Sequence, residues 1–319
     1  MKNMYLIIVL TLAMSFLLMP LLAVEQAEKE GSDSQIGTSS IKEKENTESE
    51  DFEPLNEIKL YLKDEDKIES IDSEEYILGV VAAEMQADYD IEAIKAQALA
   101  SYTFAYFRHM QNSEQGNEYD ITNDTAKDQG YLDSVGRQAK WGDKYAEYEE
   151  KVVSAVKSIK NQLIVYKNAP ILAAYHAISC GNTERATNVW NTDYPYLQSE
   201  NSIGDLLSPD FLSEVKLTTE NFTAKLRELG CEVTGEPSKY IGKITKSDAG
   251  YVTNITLGGK KFTGDKIRET FSLRSASFDL IFKEDTFIFT VSGYGHGVGM
   301  SQFGANYMAE QGSTYDEII

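Results

Sequence analysis

An α+β domain, with a helical hairpin packed against mixed and antiparallel strands, is the architecture predicted by this 319-residue chain. Three observations carry that expectation. Amphipathic helical stretches with clear start signals come first, and alternating apolar strands joined by glycine turns come later. The chain is 42% apolar and 11% aromatic, enough for a packed core. Helices in one stretch and hairpins in another segregate as in α+β folds, rather than alternating as in α/β ones.

The chain divides before the fold begins. Met4 to Val24 carries no charge over about 20 residues, the length of a membrane-crossing helix. Only Lys2 and the terminal amine precede it, and an acidic flank follows, which orients the remainder outside the cytoplasm. Residues 1–24 therefore read as a transmembrane anchor, or else as a signal peptide cleaved near Ala23; Leu21 and the length of the run favour the anchor. Residues 25–57 are rich in Glu, Ser, Gln and Lys and read as an acidic disordered linker. The net charge of −21 disfavours nucleic acid or an anionic lipid surface as partner. Residues 58–319 form the folded domain, and a helix starting at "STYDEII" suggests that this domain is truncated at its C-terminus.

Within the domain, Ile58 to Leu62 alternates like a strand. "SIDSEEYILGVVAAEM" then opens a helix with Asp72 as cap and Glu75 three residues on. A second helix, Asp90 to Met110, follows a break at Ala87 to Tyr89, and Ala93, Ala96, Ala98 and Ala100 would let it approach the first closely. Gly130 to Trp141 reads as loop and Tyr145 to Ile159 as helix. Gln162 to Ser179 reads as two apolar strands about a turn at Asn168 to Pro170. Thr219 to Leu229 is helical. Strands follow at Tyr240 to Asp248 and Tyr251 to Leu257, then a Gly258–Gly259 turn, a short helix at Asp265 to Thr270, and strands at Phe278 to Phe282 and Thr286 to Ser292.

Candidate chemistry begins at Glu84. Ile77, Val80 and Val81 precede it by seven, four and three residues, so a carboxylate sits in an apolar helical stripe. Burial there would raise its pKa toward neutrality, as a general acid requires; the alternative is a rim carboxylate meeting water or a lysine. Lys95 and Gln97 interrupt the small face of the next helix with polar groups able to reach Glu84.

"GYGHGVGMSQFGA" alternates glycine with other residues around His296, one of three histidines in the chain. In an extended segment Gly293, Gly295, Gly297 and Gly299 would face one way, marking close approach by another backbone or by a ligand. The spacing is not that of a nucleotide loop. His176 and Cys180 are four residues apart, but zinc requires three or four ligands, so no metal or other cofactor is assigned; zinc at His176/Cys180 and a Cys180 thiol nucleophile with a histidine base are the alternatives. Cys180 and Cys231 could pair outside the cytoplasm or remain free thiols.

Four ordered blocks resemble the SpoIID/LytB family, specifically its stage II sporulation protein D group of membrane-anchored peptidoglycan enzymes. They are "YILGVVAAEM" with "EAIKAQALA", "AAYHAISCGNTERATNVW", "SLRSASF" and "GYGHGVGMSQFGA", spanning residue 58 to the end. The resemblance implies lytic transglycosylation, the cleavage of MurNAc–GlcNAc bonds to 1,6-anhydro ends during sporulation engulfment, with Glu84 as catalytic acid. It also implies a cup-shaped site in which Lys95, Gln97, Tyr102, His176, Ser179, Thr183, His296, Ser301 and Gln302 bind substrate. The implied partners are peptidoglycan glycan strands, an amidase and a membrane scaffold of the engulfment complex, and the implied place is the space between mother cell and forespore membranes. Gln86, Tyr102 and Cys180 stand where the family usually has Pro, Arg and Gly. The alternatives are a non-catalytic glycan-binding scaffold and a Cys–His stem-peptide hydrolase.

Overall fold

The computed structural model describes residues 52–319 and is a mixed α and β fold built from several small sheets. The apolar run at 4–24 and the linker up to residue 51 lie outside the described residues. Among the described residues no helix is long and apolar enough to cross a membrane.

Strand β1 (Glu57–Leu62) buries Ile58 and Leu60 completely, as its alternation requires, and pairs antiparallel with β2 (Lys67–Asp72). Asp72 then caps helix α1 (Ser73–Glu84), accepting from the Glu74 and Glu75 amides at 3.0 and 3.2 Å. Asp90 caps α2 (Ile91–Glu114), which packs on α1. A two-residue strand β3 (Ile121–Thr122) lies parallel to β1. Ordered structure starts earlier than the sequence boundary at residue 58: Phe52 stacks edge-on against Tyr106, and the Leu55 amide donates to the Tyr102 hydroxyl.

The stretch expected to be loop contains helix α3 (Ser134–Trp141), capped by Asp133. Its stability comes from a distant source. Arg137 is 1% exposed and pairs with Glu75 of α1 and Glu149 of α4 (Tyr145–Ser158), both at 2.9 Å. The two apolar strands expected between Gln162 and Ser179 are reduced to a minimal hairpin, β4 (Val165–Tyr166) with β5 (Ala169–Pro170), and to β6 (Tyr175–His176). The polypeptide there is occupied in lining a cleft rather than in building a sheet. A short helix α5 (Ala186–Trp190) follows.

The C-terminal half holds a second core. Strand β7 (Leu212–Thr218) leads into helix α6 (Thr219–Glu228), β8 (Ile241–Lys246), β9 (Val252–Leu257) and β10 (Lys260–Phe262), then α7 (Gly264–Phe271), β11 (Phe278–Lys283) and β12 (Thr286–Ser292). Two antiparallel sheets result, ordered β10-β9-β8 and β11-β12-β7. Alternation along β12 buries Phe287, Phe289 and Val291 fully, and Phe222 of α6 stacks on Phe287 at 3.7 Å between ring centroids. The chain closes with β13 (Met300–Ser301), parallel to β6, then α8 (Gln302–Glu310) and α9 (Tyr315–Ile318), where Thr314 and Glu317 form a capping box. The small face of α2 is divided: Ala98 enters the core shared with α1, whereas Ala93 packs against Ala305 and Ala309 of α8.

Candidate active site

A cleft of about 920 Å³ lies among the end of α1, the face of α2 bearing Phe104 and Arg108, the 123–132 loop, the 172–177 segment, Trp190 and the segment around His296. That volume suits a ligand larger than a monosaccharide. Glu84 lines it. The carboxylate is half-buried at the last residue of α1 and accepts a hydrogen bond from the Gly130 amide at 2.6 Å. Burial raises its pKa above the ordinary glutamate value; the Gly130 hydrogen bond and the nearby Lys140 charge offset this in part. Lys140 is held there by the backbone, donating to the Ala82 carbonyl at 2.6 Å.

Behind Glu84 runs a buried polar chain that no sequence period announces. Tyr76 donates to Gln129 Oε1 at 3.3 Å, and Gln129 Nε2 donates to the Tyr175 hydroxyl at 2.9 Å. Gln97 is fully buried, donates to Ser101 Oγ at 3.0 Å and accepts from Gln302 Nε2 at 3.1 Å. Gln97 thus stands one layer behind the cleft, tying α2 to the start of α8, while Gln302 itself reaches the cleft.

Two histidines face the opposite wall. His176 Nδ1 donates to the Val298 carbonyl at 3.1 Å, which leaves Nε2 as a buried acceptor with no partner among the described residues. Burial pushes its pKa down to about 4, against that hydrogen bond, so the ring is neutral at pH 7. His296 accepts the Val298 amide on Nδ1 at 3.0 Å and is held lower still, at about 3, by burial and by His176. The Trp190 ring packs 5.2 Å from His296 and also lines the cleft. Trp190 was absent from the expected site residues; an amphipathic ring five residues past Arg185, the central block's last charge, was the available signal.

Other expected site residues do structural work. Ser179 and Ser301 meet at Asp205, a fully buried carboxylate that sequence reasoning missed: it accepts the Ser179 amide and the Ser301 hydroxyl, each at 2.8 Å. Thr183 accepts the Glu200 amide at 2.8 Å and lines a separate cavity with Gln198 and Ser202. Lys95 pairs with Glu92 at 2.6 Å beside the Tyr315 ring, and Tyr102 binds the Leu55 amide; neither lines the cleft. Helical geometry explains both, because neither residue shares the face that carries Gln97, Ser101, Phe104 and Arg108 at spacings of four, three and four.

The glycine ribbon departs from the extended strand expected of it. Gly293, Gly295, Gly297 and Gly299 all have positive φ, +77, +116, +82 and +74°, so the chain winds rather than presenting one bare face. Val298 is buried while Tyr294 is exposed. The close neighbour is the central block: a Cβ on Gly293 would stand 2.7 Å from the Ile178 carbonyl oxygen, and one on Gly295 would stand 2.7 Å from His176 Cβ. Glycine is needed so that this loop can back onto the segment that presents His176.

Cys180 and Cys231 are free thiols. Cys180 approaches the Ala249 carbonyl at 3.1 Å, packs with Ala249, Tyr251 and Ala276, and does not line the cleft with His176 or His296. Among the described residues no group of three or more His, Cys, Asp or Glu side chains could hold a metal ion.

The family model for SpoIID, stage II sporulation protein, matches residues 61–166, which include Glu84 and all of α2. Stage II sporulation protein D of Bacillus amyloliquefaciens is 37% identical over 264 residues, covering 82% of this chain and 75% of that protein. Its counterpart from Bacillus subtilis is 38% identical over 264 residues, covering 82% and 76%. The amidase enhancer of Bacillus subtilis is 25% identical over 299 residues, covering 76% of this chain and 38% of its own length. Carrying both the family's blocks and this extent of identity, the chain belongs to the SpoIID family of stage II sporulation proteins, and its role lies in sporulation.

Proposed function

We propose that the chain is a peptidoglycan lytic transglycosylase, acting outside the cytoplasm on the wall between mother cell and forespore. The observation that carries this reading is the isolation of Glu84. Burial raises its pKa, and the other carboxylate lining the cleft among the described residues, Asp128, stands 2.7 Å from Arg108 and accepts the Thr122 amide at 3.0 Å. A hydrolytic glycosidase uses two free carboxylates flanking the bond. A lytic enzyme needs only one.

In that mechanism protonated Glu84 donates its proton to the glycosidic oxygen, and the C1–O bond of MurNAc breaks to release GlcNAc with a free hydroxyl. The C6 hydroxyl of the same MurNAc closes on C1, and the Glu84 carboxylate takes the C6 proton. Water is not consumed, and the acid is regenerated. The Gly130 amide fixes the carboxylate for both steps. Neutral His176, with Nε2 open, is suited to accept a sugar hydroxyl, and Trp190 to stack on a sugar face. The similarity to a protein named amidase enhancer supports an amidase as working partner; a membrane scaffold and the N-terminal anchor complete the proposed setting.

The test is digestion of purified denuded glycan with product analysis by mass spectrometry. Products ending in 1,6-anhydroMurNAc that vanish in Glu84→Gln are the expected result. Reducing ends alone, or undiminished cleavage by the variant, refute it.

A further inference from the structure

We propose that the Arg108 end of the cleft is a binding subsite for a carboxylate borne by the glycan, a proposal that rests on the glycan-cleaving reading of this cleft. Arg108 is carried on the α2 face that meets the site, and its side chain is 26% exposed. Asp128, whose side chain is 0% exposed, stands 2.7 Å from Arg108 Nε, and its other oxygen is occupied by the Thr122 amide. The two charges attract at that distance, although no hydrogen bond joins Arg108 Nε to Asp128 Oδ1. Nη1 donates one bond, to Gln111 Oε1 at 2.8 Å, and Nη2 has no hydrogen-bond partner among the described residues. Five N–H groups in a planar fork leave donors for a further acceptor, and a carboxylate matches that fork with two parallel bonds.

Charge points the same way. Lys127, next to Asp128 in the loop, also lines the cleft, and both histidines there are neutral at pH 7. The formal charges of Arg108 and Lys127 offset those of Asp128 and Glu84 on the lining, in a chain of net charge −21. A cleft free of the excess negative charge carried by the rest of the chain admits an anion that the remaining surface repels. The sugar rings of the glycan are uncharged. Its carboxylates are either the lactyl group of MurNAc, once the stem peptide has been removed, or those of the stem peptide itself.

The experiment uses the full chain carrying Glu84→Gln to prevent turnover, and measures calorimetric binding of three glycan oligosaccharides: denuded, denuded with the lactyl carboxylates amidated, and peptide-bearing. Amidation is expected to weaken binding at least tenfold, to have little effect once Arg108→Gln is added, and to have an intermediate effect with Arg108→Lys, which keeps the charge without the fork. Tighter binding of peptide-bearing than of denuded glycan, lost in Arg108→Gln, would assign the carboxylate to the stem peptide. Equal affinity for all three oligosaccharides, or equal weakening of all three by Arg108→Gln, overturns the subsite. Anhydro-product formation by the chain with Glu84 intact separates the two readings. Cleavage with no amidation effect removes only the subsite, and amidation-sensitive binding without cleavage removes only the catalytic reading.

Discussion

Replacing Gly293 with alanine tests why the C-terminal motif alternates glycine. Gly293 has φ +77°, and an added Cβ would stand 2.7 Å from the Ile178 carbonyl oxygen and 2.8 Å from that of Ser179. Both neighbours are backbone, and Ser179 is pinned through its amide to Asp205, so neither yields cheaply. A left-handed residue with a Cβ costs about 1–2 kcal/mol, while the stiffer unfolded chain returns about 0.4–1 kcal/mol. Relief of the overlap adds about 1–3 kcal/mol, the usual cost of overfilling a packed site. Gly293→Ala should therefore lose about 3 kcal/mol. Gly259→Ala is the matched control: its φ is +81° but nothing lies within 4 Å of the new carbon, so it should lose only about 1 kcal/mol. Urea unfolding followed by tryptophan fluorescence reports the difference. Equal midpoints for the two variants would refute the close-packing account of the ribbon.

Three further outcomes are expected. The raised pKa of Glu84 means that the folded state holds a proton the unfolded state gives up, so stability falls as pH rises through the window above the ordinary glutamate value; Glu84→Gln should be more stable than the parent at pH 7 and equal to it at pH 3, measured by thermal unfolding. His176 and His296, lowered to about 4 and about 3, bind protons only on unfolding between pH 6.5 and those values, so stability falls as pH drops through that range; imidazole nitrogen shifts in NMR should show both rings neutral at pH 5, and a charged ring there contradicts the burial. Asp205→Ala leaves the Ser179 amide and the Ser301 hydroxyl without their acceptor and should cost about 2–4 kcal/mol of stability, read from the urea midpoint; a change below 0.5 kcal/mol would show that water replaces the carboxylate.

Much of the fold was legible because it depends on neighbours close in sequence. Asp72 and Asp90 cap helices where side-chain oxygens can reach the amides two or three residues on. The alternation of Phe287, Phe289 and Val291 defines a strand face with no knowledge of its partner. Helix α3 was not legible, because a glycine and several polar residues conceal it and its anchor is a buried arginine reaching two other helices. The site shows the same division. Glu84 could be found from the apolar residues preceding it on the same helical face, whereas Asp205 lies in a short stretch with no period and acquires its role only from partners 26 and 96 residues away.

From sequence alone followed the acidic, outward-facing expectation for the chain, the helix bearing a carboxylate in a greasy stripe, and the need for residues without side chains around His296. The first rests on composition and charge, and the other two on adjacent dihedrals or two helical turns. Tertiary structure decided which surface the ribbon backs onto, which of the polar residues on α2 turn toward the cleft, and that Lys95 and Tyr102 turn away. Those outcomes depend on the rotation of one element against another, which no local spacing encodes.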